Sequence, residues 1–327
     1  MDDDRILEDA LPDRRVIDRS PLPSDGPNDV SRLTTEDGER FVLKCAPEPA
    51  GAAALRRELA VTNYVRRETD VPVVDVVSHG FDVTESPAYV VTRWAEGRTL
   101  EEATATLPPH RHPQLFGSVG ETLARLHAGT SFDDPGTIVP DGSDSFDVDP
   151  AADWPELFAG RLADRVEALR GTRFEALAEE VWSYVVDRLR DLDTGGAPVL
   201  LHGDVGDGNV VYDGTSVSCV LDWERAFVGH PEYDLCRAEV RYFLNDWGRP
   251  SRLQATFFAG YRSVRELPPG FEGRRRCYLA TFFLLPLSTY PEWGPGMTDD
   301  LDEFAERLAE QVRGVMDDAR QPGPRHN

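Results

Sequence analysis

The sequence predicts an α+β fold, with an N-terminal antiparallel sheet and one helix followed by a mainly helical region that carries a short hairpin. Three observations point there. Residues 14 to 46 alternate β-like runs with turns. From about residue 99 the apolar side chains recur at helical spacing. Inside that helical half, residues 199 to 224 hold two short apolar runs around an Asp-Gly turn.

Arg15 to Asp18, Val30 to Thr34 and Arg40 to Cys45 are read as strands, with Glu36-Asp37-Gly38 turning between the last two. The turn from Pro23 to Asn28 holds one glycine, Gly26. The third run ends beside Lys44, the only lysine among 35 basic side chains. A compact ammonium kept at one place, where arginine serves everywhere else, marks a position that needs a point charge. Gly51 opens a helix in which Leu55, Leu59, Thr62 and Val65 share a face, and Asp70-Val71-Pro72 stops it. Val73 to Val77 and Ala88 to Thr92 follow as strands, the second running into Arg93-Trp94-Ala95-Glu96-Gly97. Helices are expected over Gln114 to His127, Trp154 to Leu169 and Phe174 to Leu192, with further periodic segments at 251–262, 273–287 and 299–316. Ser131 to Asp153, rich in Gly, Pro and Asp, shows no clear periodicity and reads as a long connection.

The chemistry concentrates in Val199 to Glu224. An apolar run, Val199-Leu200-Leu201, delivers His202-Gly203-Asp204 into a loop, and Asn209 follows Asp204 by five residues. Val210 to Tyr212 and Val217 to Leu221 form the hairpin, which presents Asp222 at its tip. An Asp and an Asn five apart, then an Asp ending a hairpin, suit phosphoryl transfer. One carboxylate orients the acceptor hydroxyl, while the amide oxygen and the second carboxylate hold Mg²⁺ against nucleotide phosphates. Taken singly, Asp204, Asp207 and Asn209 would read as turn residues; the ordered set in a strand–loop–hairpin context is what carries the reading. His202 is read as a loop organiser rather than a base.

The stretches H-G-D-V-G-D-G-N, L-D-W-E and G-H-P-E-Y-D-L resemble the aminoglycoside phosphotransferase and choline kinase group of small-molecule kinases, in an acid-rich member. The resemblance implies a protein-kinase-like two-lobed fold: residues 1–93 as a nucleotide-binding lobe, 94–98 as connector and 99–320 as a helical catalytic lobe, before a disordered tail at 321–327. It also implies ATP, with GTP as the alternative nucleotide, together with Mg²⁺. Lys44 would meet the phosphates and Glu58 would hold Lys44 in place; the Arg93 carbonyl and the Ala95 N–H would pair with adenine. Asp204 would act on the acceptor, Asn209 and Asp222 would carry the metal, and Asp234 would prop the catalytic loop. The segment Val205-Gly206-Asp207 departs from the family's Leu/His-Pro pairing, and Asp207 adds a carboxylate on the acceptor side.

The implied function is ATP-dependent transfer to a small-molecule hydroxyl on an aminoglycoside, choline-like, amino-alcohol or sugar-type acceptor. The alternative is a catalytically silent nucleotide-binding module of the same fold. A metal-dependent hydrolase is weakened because no second histidine sits two or four residues from His202, and a protein kinase by the missing glycine-rich loop. A net charge of −24 disfavours nucleic acid and anionic membranes as partners and suits adaptation to high salt. Asp299, Asp300 and Glu303 could meet a cationic acceptor but are expected to face solvent. Four widely spaced cysteines argue against a disulfide scaffold. With no signal-peptide pattern at Met1 to Arg5 and no run long enough to span a bilayer, a cytoplasmic monomer or homodimer is expected.

Overall fold

A computed structural model describes residues 3–24, 28–81, 87–244, 251–293 and 300–317 of the chain. Gly26, Asp299 and the expected tail lie outside them. The first region is a five-stranded antiparallel sheet with a helix on each face. Helix α1 (Asp3–Ala10) precedes β1 (Val16–Pro21), β2 (Asp29–Thr35) and β3 (Arg40–Ala46), and α2 (Pro49–Glu68) precedes β4 (Val76–Gly80) and β5 (Ala88–Arg93). The strand order is β1-β2-β3-β5-β4. Alternation along β3 decides what each face receives. Phe41, Leu43 and Cys45 pack with Ile6, Ala10 and Leu11 from the α1 side. Lys44 points the other way, level with Val90, a residue that packs on Leu55 and Leu59 of α2. Strand parity therefore places the single lysine under α2.

The second region begins with β6 (Arg98–Thr99) and α3 (Leu100–Thr106), whose start is fixed by a reciprocal Thr99–Glu102 capping box. Then follow α4 (His112–Gly129), β7 (Gly136–Asp141), β8 (Ser145–Pro150), α5 (Trp154–Ala168) and α6 (Glu175–Val186). Strands β9 (Val199–Leu201), β10 (Val210–Tyr212), β11 (Val217–Val220) and β12 (Phe227–Gly229) precede α7 (Glu232–Glu239), α8 (Ser251–Arg262), α9 (Phe271–Trp293) and α10 (Leu301–Asp317). Two small sheets, β11-β10-β6 and β8-β7-β12-β9, hold the catalytic-type stretch within this helical half. Helices α4 and α8 cross with almost no space between backbones. A Cβ on Gly260 would sit 2.0 Å from the Gly117 carbonyl, so only glycine permits the approach. Among the described residues no helix is long and apolar enough to cross a membrane.

Three expectations are corrected. Ser131 to Asp153 is mostly a hairpin, β7–β8, turning at Gly142 and paired through β7 to β12. Its strands alternate buried Ile138 with exposed Val139, a period hidden by the Pro and Asp around it. The strand expected at Val73 to Val77 starts later, at Val76, because Pro72 and Val73 pair with Val220 of the hairpin instead. The helix expected from Phe174 to Leu192 ends at Val186 and resumes as a 3₁₀ turn over Leu189–Leu192. Helix α1, which the sequence reading missed, is amphipathic through Ile6 and Ala10.

Candidate active site

The loop after β9 is built from buried atoms upward. Val199, Leu200 and Leu201 are core residues and set the direction of the chain into His202-Gly203-Asp204. Gly203 adopts φ +80°, and a Cβ there would lie 2.3 Å from the Arg225 carbonyl. His202 is fully buried; its Nε2–H donates to the Leu221 carbonyl at 2.9 Å, and its Nδ1 accepts from the Asp204 N–H at 3.2 Å. It ties the loop to the hairpin, as a loop organiser should. Beneath it, the buried Asp234 carboxylate accepts the His202 and Gly203 N–H groups at 2.7 and 2.9 Å. Asp234 thus props the loop rather than capping its own helix. His127 stands behind it, 3.4 Å from Asp234 Oδ2 and 3.0 Å from the Tyr261 hydroxyl. Burial pushes the His127 imidazole below its usual range, against the pull of Asp234.

Asn209 closes the loop on itself. Its Nδ2 donates to the Asp204 carbonyl at 3.0 Å, and its own carbonyl accepts from Leu221 N–H at 2.8 Å. Asp222, one residue further, has φ +65° and is the one non-glycine residue with positive φ among those described. Holding an aspartate in the left-handed region costs on the order of 1 kcal/mol or more.

Asp222 also joins the two regions. Lys44 Nζ lies 2.6 Å from Glu58 Oε1 and 3.2 Å from Asp222 Oδ1. Burial opposes the ammonium charge, but Glu58 and Asp222 outweigh it and hold Lys44 protonated well above the ordinary lysine range. Burial pushes the Glu58 carboxyl up. Glu58 Oε2 is buried and has no hydrogen-bond partner. The segment after β5 is anchored as well: Trp94 N–H donates to the Arg40 carbonyl at 3.0 Å, Arg93 N–H to the Asp75 carbonyl at 2.8 Å, and Arg40 pairs with Glu96 at 2.6 Å. Arg93 ends β5 and Ala95 lies beyond that strand.

Asp204 sits among guanidinium groups that sequence reasoning did not anticipate. Arg237 Nη2 donates to its Oδ1 at 2.8 Å, and Arg225 Nε is 3.7 Å from its Oδ2. Burial raises the Asp204 carboxyl, yet the attraction of Arg237 and Arg225 prevails and holds it below the usual carboxylate range. Arg237 is one helical turn past Asp234, so the face that props the loop also reaches its carboxylate; that spacing is the signal that could have found it. Asp207 pairs with Arg241, Nε to Oδ2 at 3.5 Å. Asp300 and Glu303 serve the start of α10, where Glu303 N–H donates to Asp300 Oδ1 at 2.9 Å.

The donor set fits a magnesium nucleotide. Asn209 and Asp222 offer the hard oxygens that Mg²⁺ prefers, in the small number typical when phosphates complete the coordination. Lys44, held between two carboxylates, supplies a fixed cation beside them. The phosphotransferase enzyme family, APH, matches residues 18–277. Mouse ketosamine-3-kinase is 34% identical over 139 residues, which are 40% of this chain and 40% of that protein. Hygromycin-B 4-O-kinase of Escherichia coli is 24% identical over 196 residues, 58% of this chain and 52% of that protein. The chain therefore spans about half or less of the curated relatives it matches. A thermostable mutant of aminoglycoside phosphotransferase APH(4)-Ia, in ternary complex with ADP and hygromycin B, superposes with TM-score 0.69 at 18% identity, covering 98% of this chain and 100% of that one. The likeness establishes the expected protein-kinase-like arrangement.

Proposed function

From a chain that belongs to the phosphotransferase enzyme family, we propose an enzyme that moves the γ-phosphoryl group of ATP to a hydroxyl of a small molecule. The contact of Lys44 with both Glu58 and Asp222 carries this reading, because it brings β3, α2 and the hairpin tip to one point. Lys44 neutralises phosphate oxygens, and Glu58 fixes its reach. The Arg93 carbonyl and the Ala95 N–H pair with the adenine edge. Asn209 and Asp222 would hold Mg²⁺, which would supply charge neutralisation for the transferring group.

Asp204 orients the acceptor hydroxyl. As the acceptor oxygen bonds to phosphorus, the bond to the ADP oxygen breaks and the hydroxyl proton passes to Asp204. A carboxylate held at low pKa by two arginines is a weak base. It suits a loose transition state, in which alignment matters more than early proton removal. The relatives named for ketosamines and hygromycin B make polyhydroxylated compounds the first acceptors to try. The test is ADP release from Mg-ATP with and without each compound. Acceptor-stimulated release supports the reading, whereas an ATP affinity too weak to measure defeats it.

A further inference from the structure

The acceptor side of Asp204 carries more positive charge than its carboxylates balance. Arg237 reaches Asp204 directly, at 2.8 Å. Arg165 of α5 shares the Phe282 ring with it; the guanidinium carbons of Arg237 and Arg165 lie 6.0 and 4.8 Å from the ring centroid. Arg161, one turn earlier on α5, lies 3.4 Å over Phe227 and 5.8 Å from the Tyr233 ring. Arg165 donates to the Tyr233 hydroxyl at 3.3 Å and to the Thr281 carbonyl at 3.2 Å, both neutral acceptors.

Among the described residues neither Arg161 nor Arg165 forms an ion pair with a carboxylate. Arg161 Nε is buried with no hydrogen-bond partner. Both side chains are half-buried, so solvent reaches part of each. Arg237 and Arg225 thus share Asp204, while Arg161 and Arg165 beside them have no carboxylate partner, in a chain of net charge −24. The neighbouring arginines behave otherwise: Arg274 is paired with Glu232, and Arg275 with Glu239. Burial lowers the Arg165 pKa against the pull of Tyr233, and repulsion from Arg237 and Arg161 adds to the lowering. Crowded, uncompensated cations cost stability unless an anion meets them. Guanidinium groups are also the side chains best shaped to grip a carboxylate or phosphate.

We propose that the acceptor bears an oxyanion, a carboxylate or a phosphate ester, which docks against Arg161 and Arg165 while its hydroxyl reaches Asp204. This rests on the phosphotransfer reading and names its substrate class. A polycationic aminoglycoside would meet three like charges at the same place.

Titration calorimetry on the full chain, with a non-hydrolysable ATP analogue bound, tests it. Gluconate and ribose 5-phosphate are the oxyanion probes, ribose the neutral one, and choline and kanamycin the cationic ones. At least one oxyanion probe should bind tenfold or more tightly than ribose, choline or kanamycin. Preference for gluconate assigns a carboxylate, and preference for ribose 5-phosphate assigns a phosphate ester. Arg161→Gln and Arg165→Gln should each weaken that probe about tenfold and leave the affinity for the ATP analogue unchanged. Arg165→Lys, which keeps the charge and serves if the glutamine variant fails to fold, should weaken it less. The inference is overturned by tighter binding of choline or kanamycin, by no oxyanion preference, or by equal oxyanion affinity in the folded variants. In each of those cases the phosphotransfer reading stands as long as the ATP analogue binds. Failure to bind the analogue defeats that reading, and the inference with it.

Discussion

The two sides of the site are built differently. On the Lys44 side, one cation from a strand meets two carboxylates, from a helix and a hairpin tip, and the contact keeps a net negative charge. On the Asp204 side, one carboxylate meets arginines from α7 and from the segment before β12, and Arg165 of α5 shares the Phe282 ring with the first. The first arrangement suits a partner brought in with its own metal. The second suits a partner that brings negative charge. A single scaffold can thus keep its phosphate-handling half constant while its acceptor half is set by distant helices.

The comparison can be broken most sharply at Asp204. Asp204→Ala should lower kcat by about 10²–10⁴-fold with nucleotide affinity retained, as read by steady-state ADP release beside ATP titration. Loss of ATP binding instead would merge the two sides into one. Next in size is Asp234→Ala, which leaves the His202 and Gly203 N–H groups buried without their acceptor. The expected cost is about 1–3 kcal/mol for each stranded group, visible in denaturant unfolding, with kcat falling as the loop loosens. An unchanged midpoint would contradict the propping role. Lys44→Arg should weaken nucleotide use roughly tenfold despite the retained charge, because the planar fork cannot replace a point charge between Glu58 and Asp222. Wild-type kcat/KM for ATP in that variant would remove the meaning given to the lone lysine.

The smallest effect concerns acid. Burial pushes the His230 imidazole down to about 4 and also lowers His127. A depressed folded pKa contributes stability that is present above the unfolded imidazole range and is lost as pH falls through about 6.5 toward 4. His127 touches Asp234, which props the Asp204 loop, and His230, directly after β12, stacks on Trp154. Acidification from neutral pH should therefore lower the melting temperature, with hydrogen exchange rising in β9 and α7 before it rises in β3. Simultaneous loosening of β3 would contradict the separation.

The sequence made one side far more legible than the other, for a physical reason. Strand parity, helix spacing and the turn at Asp213-Gly214 are local, so β3, α2 and the hairpin could be placed from short windows. Lys44 stood out by composition, Asp204, Asn209 and Asp222 by spacing. The basic cluster depends on α5, α7 and α9 converging around Tyr233 and Phe282, contacts between residues far apart in sequence, 68 positions for Arg165 and Tyr233 and 116 for Arg165 and Thr281. No window of sequence contains that convergence, and arginines on a helix otherwise read as solvated charge. The β7–β8 hairpin was hidden differently: its Pro and Asp residues resemble loop composition, and only pairing with β12 makes it a sheet.

The most direct test of the central claim compares the wild-type chain with Asp204→Asn in acceptor-stimulated ADP release from Mg-ATP, in molar KCl to suit the acidic surface. Asparagine keeps the shape of the side chain but removes its charge and its basicity. The account predicts stimulation by an acceptor in the wild-type chain and near-complete loss in Asp204→Asn, with ATP affinity equal in both. Undiminished stimulated turnover in Asp204→Asn would contradict it.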